Sequence, residues 1–371
     1  MLKRAMRRMK RRAGLIPLIA SVMFMPSTAA VAQPALQWVQ ITAQHVEVDG
    51  LPFFAENGGE LSRLPEKLKA SYRTAVWNLA QSPSGGRIRF RTNSSTLAIR
   101  LEYPKAPDMT NMHAFGQTGV DLYVGDVYRD TAIDGKTGGA VEHAYFKGQP
   151  RVMREITLYL PLYMPVKVVG IGLDADAVIE SPTKFAVAKP AVFYGTSITQ
   201  GGCASRSGMS YQAILGRKLN LDFVNLGFSG NGLGEPELAQ AVASIDASVY
   251  VLDLAQNNPT VDSLKQNYAP FIAAIRAKHP ATPILVVTPI YAAHEATAAD
   301  AKLDGMRALV REVAAERIAA GDKNIQVVEG TDLLGPMRGD GLVDGTHPND
   351  LGFEWMAEGL AARISELLGL K

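Results

Sequence analysis

The sequence predicts an all-β sandwich followed by an α/β domain built on a doubly wound, five-stranded parallel sheet. Three observations carry this. From Leu36 to about Lys189, apolar and polar residues alternate in short segments broken by Gly, Asp and Pro, as in antiparallel strands wet on one face. From Ala191 onward, short apolar runs alternate with helical stretches, the pattern of βα units. Between them the chain has only a brief connection, around Ser181 to Lys189, with Pro182 inside it and Pro190 at its end. The expected organisation is a leader over 1–32, a sandwich over 35–187 and the α/β domain over 190–371, the two domains packed together rather than tethered.

The 371 residues are 47% hydrophobic and 20% charged, which suits folded globular protein and not a disordered chain. Residues 1–12 hold seven Lys or Arg and no acid. An apolar run from about Leu15 to Met25 follows, and Ala30-Val31-Ala32 precedes Gln33. That order is a secretory signal peptide cleaved near Ala32, its apolar run being short of the roughly 20 residues a membrane span needs. The protein is therefore expected to be periplasmic or secreted, without a stable membrane span. Losing those seven cations takes the net charge from +2 to −5, which removes any electrostatic reason to bind nucleic acid or anionic lipid. The single cysteine, Cys203, forms no internal disulfide and reads as a small buried side chain.

Within the first domain, Gly85 to Tyr103 places Ile88 and Phe90 between Arg87, Arg89 and Arg91, then a Ser-rich turn, then a second alternating run. This predicts a hairpin with one wet face. Gly119 to Arg129 and Arg154 to Leu173 continue in period two, as a sandwich requires. The one helix expected here is short, near Pro65 to Tyr72.

In the second domain, strands are expected at Ala191 to Tyr194, Asp222 to Leu226, Ser248 to Leu254, Pro283 to Val287 and Asn324 to Val328. Helices are expected at Ser210 to Leu219, Glu235 to Ile245, Asp262 to Lys278, Ala298 to Ala320 and from Pro348 to about Leu368. In such sheets ligands sit beyond the carboxyl ends of the strands. The stretch AVFYGTSITQGG, Ala191 to Gly202, is strand, tight turn and then helix, with Ser197 at the apex. Ser197 is the candidate nucleophile.

A serine needs a base, and of six histidines His347 is the candidate. It lies in DGTHPND, Asp344 to Asp350, where Pro348 suits the first position of a helix and makes His347 its cap. Asp344, three residues earlier, is placed to turn back onto the ring. A carboxylate on one ring nitrogen fixes the tautomer so that the other can take the serine proton. The order along the chain is Ser, Asp, His.

Here the sequence resembles the SGNH, or GDSL-like, hydrolase superfamily. YGTSIT is similar to its first block, with Thr196 where the family usually has Asp. VNLGFSGNG, Val224 to Gly232, resembles the second and implies the Gly230 N–H as an oxyanion donor. LDLAQNN, Leu252 to Asn258, resembles the third, with Ala255 in place of its Gly, and implies the Asn257 amide as the second donor. DGTHP resembles the last. The resemblance thus implies a Ser197, His347, Asp344 triad, an oxyanion hole of Ser197, Gly230 and Asn257, a flavodoxin-like sheet, and no cofactor. GVDLY, Gly119 to Tyr123, is similar to the GxDLY motif of a sandwich domain found ahead of some of these hydrolases, and implies a jelly-roll-like domain of the kind several carbohydrate esterases carry. The sandwich either helps present a glycan or packs against the catalytic domain, and Asp121 either braces a turn or touches substrate.

The loop Thr288 to Glu295 emerges at the catalytic edge, which makes Tyr291 and His294 candidate substrate contacts. Arg206, in the loop after the nucleophile, either touches substrate or pairs with a carboxylate. His294 and Glu295 lack the HxxxH or HxH spacing of a metal site, so no metal is expected. His279 ends a helix and reads as a cap favoured by the dipole. The expected function is hydrolysis of short-chain, acetyl, esters on carbohydrates through an acyl-enzyme. The alternatives are a lipase, thioesterase or peptidoglycan O-acetyl esterase and, in another class, a glycan-binding protein without activity.

Overall fold

Five parallel strands, Ala191–Gly195, Phe223–Gly227, Val249–Asp253, Ile284–Val287 and Ile325–Val328, form one sheet in the spatial order second, first, third, fourth, fifth. The computed structural model describes residues 35–134 and 136–370. The signal peptide expected over 1–32 lies outside them.

Both faces of this sheet are covered, which is why its strands read as continuous apolar runs. Val192, Tyr194, Leu226, Leu252 and Val286 pack into one core with the helices Pro236–Ala243, Val261–Lys278 and Ala301–Ala319. Ala191, Phe193, Phe223, Val251 and Leu285 pack into the other with Tyr211–Leu219 and Asp350–Leu368. Several helix starts carry side-chain caps. Ser210 accepts from the Ala213 N–H, and Thr260 and Ser263 form a reciprocal capping box.

The last helix departs from the sequence reading. Its cap is Asn349, whose Oδ1 accepts from the Gly352 N–H at 3.1 Å, and the helix begins at Asp350. Pro348 instead pairs back with Leu342 in an isolated bridge. An asparagine is a stronger cap than a histidine, and the shift of two residues leaves the His347 ring free to face the sheet edge.

The first domain has two antiparallel sheets. One runs Leu36–Val39, Lys167–Asp174, Leu97–Tyr103, Gly139–Phe146. The other runs Ile179–Glu180, Arg87–Thr92, Arg154–Tyr159, Val120–Val124, Val127–Ala132, with Glu47–Asp49 also paired to Arg87–Thr92. Ile88, Phe90, Leu122, Ile156 and Leu158 of one sheet meet Leu97, Ile99, Leu101 and Ile171 of the other in a single core. The hairpin expected over Gly85 to Tyr103 is absent, because its two runs fall in different sheets joined by a crossing turn. Nor is the arginine face wet at Arg87 and Arg89, though Arg91 stays partly exposed. Arg87 is 2% exposed, pairs with Asp222 and donates to the Phe223 carbonyl at 3.1 Å; Arg89 lies over the Phe185 ring at 3.9 Å. That face is covered by the α/β domain and the connection.

The expected short helix is a 3-10 segment, Glu66–Ser71. A second helix, Thr74–Ala80, was not anticipated and buries Val76, Trp77 and Ala80 against the α/β core. Arg63 anchors this segment. It is fully buried and donates to the carbonyls of Leu79, Ser82, Asn225 and Gly227. The last two carbonyls sit at the carboxyl end of the second parallel strand.

Candidate active site

Ser197 opens a four-residue helix, Ser197–Gln200, directly after the first parallel strand. Thr196 caps it, its Oγ1 accepting from the Ile198 N–H at 3.2 Å. The turn is tight enough to need glycine at 195, since a Cβ there would collide with the Thr199 hydroxyl and the Asp253 carbonyl. Tyr163, reaching over from the sandwich, donates to the Ser197 carbonyl at 3.2 Å. The serine is thus held from both sides.

His347 Nε2 lies 2.9 Å from Ser197 Oγ, across 150 residues of sequence. Its Nδ1 lies 2.8 Å from Asp344 Oδ2. Burial would raise the Asp344 pKa. Hydrogen bonds from the His347 N–H, the Asn111 amide and the His347 ring outweigh it and hold the carboxyl well below the usual carboxylate range. An ionised carboxylate can only accept, so in the neutral ring Nδ1 carries the proton and Nε2 is left to accept from the serine hydroxyl. This is the protonation a base needs before it acts.

Beside Ser197 the loop after the second strand turns through Gly230 at φ +65°, a conformation glycine adopts freely. Among the described residues the Ser197 and Gly230 N–H groups enter no backbone hydrogen bond. Asn257 Oδ1 accepts from the Gly232 N–H at 3.2 Å, which fixes the amide and leaves its Nδ2 as a donor. Ala255, where the resemblance led one to expect Gly, stands in a 3-10 turn Ala255–Asn257 that carries this amide to the cavity. Ser197, Gly230, Asn257 and His347 share one open cavity of about 390 Å³, walled also by Gln256, His294, Asp300, Lys302, Leu303 and Thr346. Gln256 was not singled out from the sequence; its Oε1 is buried without a partner among the described residues.

Of the candidate substrate contacts, only His294 lines this cavity, hydrogen-bonded at 2.8 Å to Asp300. Tyr291 is buried, and its hydroxyl turns back to the Ala293 carbonyl at 3.4 Å. Arg206 is removed from the cavity and donates to Asp121 Oδ2 at 2.9 Å and to the Tyr123 hydroxyl at 2.6 Å. Asp121 and Tyr123 belong to GVDLY. Asp121 also accepts from the Gly208 N–H and the Thr131 hydroxyl, and the Gly119 carbonyl accepts from Ser207. The motif therefore clasps the loop that follows Ser197, and its residues are not among those lining the cavity.

Glu295, weighed with His294 as a metal ligand, is instead bound by Arg307 and the Ala292 N–H. Cys203 Sγ, a carboxylate oxygen of Asp344 and a ring nitrogen of His347 lie within 4.8 Å of one another. Burial, followed by the charge of Asp344, pushes the Cys203 thiol up to about 12, so it is a neutral thiol and no ready ligand or nucleophile. Two contacts to the site come from the sandwich and escaped the sequence reading, Asn111 and Tyr163. Asn111 lies in a Pro- and Met-containing connector with no motif around it.

Comparison with known proteins accords with this geometry. Residues 188–365 match the GDSL-like Lipase/Acylhydrolase family, and residues 36–179 match the N-terminal GxDLY domain of SGNH-hydrolase-type esterases. No curated protein sequence matches the chain significantly. Among solved structures, a protein of Bacteroides ovatus assigned to the GDSL-like lipases is 30% identical over 91% of this chain and 99% of its own, with a TM-score of 0.79. The salicylyl-acyltransferase SsfX3 of a tetracycline biosynthetic pathway is 24% identical over 90% and 98%, TM-score 0.75. A family two carbohydrate esterase of Clostridium thermocellum, solved with cellohexaose, is 18% identical over 77% and 93%, TM-score 0.60; at those identities the last two share the fold. The sandwich, the five-stranded parallel sheet and the 30% identical relative together place the chain in the GDSL-like, or SGNH, family of lipases and acylhydrolases.

Proposed function

We propose that the protein is an exported serine esterase that removes short acyl groups, acetyl above all, from carbohydrates. The observation that carries it is the unbroken chain of hydrogen bonds from Ser197 Oγ through His347 to Asp344, on a cavity that Ser197, Gly230 and Asn257 also line. In the proposed reaction His347 Nε2 takes the serine proton as Ser197 Oγ attacks the ester carbonyl. The oxyanion forms among the Ser197 N–H, the Gly230 N–H and Asn257 Nδ2, each such donor typically contributing about 3–4 kcal/mol in the transition state. The tetrahedral species collapses, the C–O bond to the alcohol breaks, and His347 returns the proton to the leaving oxygen. Water then repeats the sequence on the acyl-serine ester, releasing the acid and free enzyme.

The short acyl group is supported by the cavity's lining, in which Ile198, Ala292 and Leu303 give a small apolar patch. The carbohydrate is supported by the polar remainder, Gln256, Asp300, Lys302 and Thr346, and by the family two carbohydrate esterases of the same fold. Export rests on the leader-like residues 1–32; among the described residues no helix is long and apolar enough to cross a membrane. The test is acetate release from acetylated oligosaccharides alongside p-nitrophenyl esters of increasing chain length, with Ser197→Ala in parallel. An acetyl preference abolished by the substitution is expected. Preference for long chains points to a lipase, and equal activity of both proteins overturns the esterase reading.

A further inference from the structure

We infer that Asn111, carried by the sandwich domain, is a positioning residue of the catalytic array and that the array is complete only when the sandwich is docked. This rests on the triad reading above and extends it to a residue 233 positions away from the carboxylate it serves.

Asn111 Nδ2 donates to Asp344 Oδ2 at 2.9 Å, the same oxygen that faces His347 Nδ1 at 2.8 Å. The other oxygen, Oδ1, accepts from the Thr346 and His347 N–H groups. Oδ1 also lies 3.1 Å from His347 Nδ1, so the ring faces both oxygens and the closer bond to Oδ2 depends on how that oxygen is held. Asn111 supplies the contact that sets the plane so that Oδ2 meets the ring. The side chains of Asp344 and His347 are 31% and 23% exposed, so without that contact water competes for Oδ2.

The donor is itself held in place. Gln117 is buried and clamps the connector, its Oε1 accepting from the Asp108 and Met109 N–H groups and its Nε2 donating to the Met109 and Met112 carbonyls. The short helix bearing Gln117, Ala114–Thr118, presses on the loop after the nucleophile, where a Cβ on Gly116 would collide with the Ala204 carbonyl. The Gln117 carbonyl also accepts from the N–H of Tyr163, the residue that holds the Ser197 carbonyl. One bracket of the sandwich thus reaches both ends of the triad.

The test is steady-state hydrolysis of p-nitrophenyl acetate by wild type, Asn111→Ala, Asp344→Ala, the double variant and Ser197→Ala, with thermal melting of each. A bond to a charged group predicts that Asn111→Ala lowers kcat about tenfold or more, with KM and the melting temperature little changed. Because Asn111 acts through Asp344, adding Asn111→Ala to Asp344→Ala should cost nothing further. An unchanged kcat in Asn111→Ala, or an equal loss in the Asp344→Ala background, overturns the inference while Ser197→Ala remains inactive. An active Ser197→Ala would instead overturn the triad reading itself, and this inference with it.

Discussion

Asp121, with no exposed surface at the heart of the GVDLY motif, accepts a hydrogen bond from Arg206, nine residues beyond the nucleophile in the opposite domain. Around this pair the Gly208 N–H, the Thr131 hydroxyl and the Tyr123 hydroxyl complete a polar cluster, and the Arg206 guanidinium lies over the Tyr128 ring at 3.8 Å. The motif that marks the sandwich in the sequence is the part of it that grips the catalytic loop.

Removing one partner of a buried ion pair leaves the other charge uncompensated, at a cost of about 3–5 kcal/mol. Asp121→Ala should therefore destabilise the folded protein by that order, read as a lower midpoint in urea unfolding. Asp121→Asn keeps one acceptor oxygen for the Gly208 N–H and Arg206 and turns its amide toward the Thr131 hydroxyl, which can accept, so it should cost less. A midpoint unchanged in Asp121→Ala would show that the pair does not hold the domains together.

This cluster also shows where the sequence stops being legible. Ser197, Asp344 and His347 can be paired from the sequence because a strand–turn–helix fixes the serine, the short span from Asp344 to His347 lets the carboxylate turn onto the ring, and the fold class delivers both to one sheet edge. Arg206 and Asp121 are 85 positions apart and were left undecided, since nothing local states which surface of the sandwich docks. Asn111 was missed for the same reason. Arg87 and Arg89 depart from the expected wet face, while Arg91, 39% exposed, keeps it, because alternation of charge and hydrocarbon in a strand reports two environments without telling water from a second domain. Arg87 and Arg89 are buried in an interface satisfied by Asp222, Asp49 and carbonyl groups.

Asp253 ends the third parallel strand beneath the nucleophile. It is fully buried, and its Oδ2 has no partner among the described residues. Burial pushes its pKa from 3.8 up to about 7, with a hydrogen bond to Thr199 opposing. Between those two values the native state holds a proton that the unfolded state has released, so stability falls as pH rises through the window. Asp253→Asn, similar in shape and neutral, should match wild type near pH 4. It should then gain on it up to pH 7, by at most on the order of 4 kcal/mol. Melting temperatures of both proteins across pH 4 to 8 check this; a difference that does not vary with pH would refute it.

Cys203 adopts φ +76° beside the triad and is buried. With its thiol pushed up to about 12, almost none is thiolate at neutral pH, and the thiolate is the reactive form. Iodoacetamide at pH 7.5 should leave native enzyme active and unmodified by mass, while denatured protein takes up one adduct. Rapid labelling of the native protein would mean that the loop opens.

Asp344→Asn tests the direction of the hydrogen bonds at the base. Oδ1 is held by two backbone N–H donors and lies 3.1 Å from Nδ1, farther than Oδ2 at 2.8 Å, so an asparagine keeps its carbonyl in that position and turns its amide toward His347 Nδ1 and Asn111 Nδ2. An amide donor facing Nδ1 makes that nitrogen the acceptor and moves the ring proton to Nε2, where it blocks uptake of the serine proton. The amide also meets the Asn111 donor head on. The variant should fold and bind substrate yet lose about 10⁴ in kcat, the scale of a wrong-tautomer base. In kinetics on p-nitrophenyl acetate this is a large fall in kcat at nearly constant KM. A loss below tenfold would mean that Asp344 contributes little beyond its place in the loop, and that His347 is oriented by Ser197 and its own backbone.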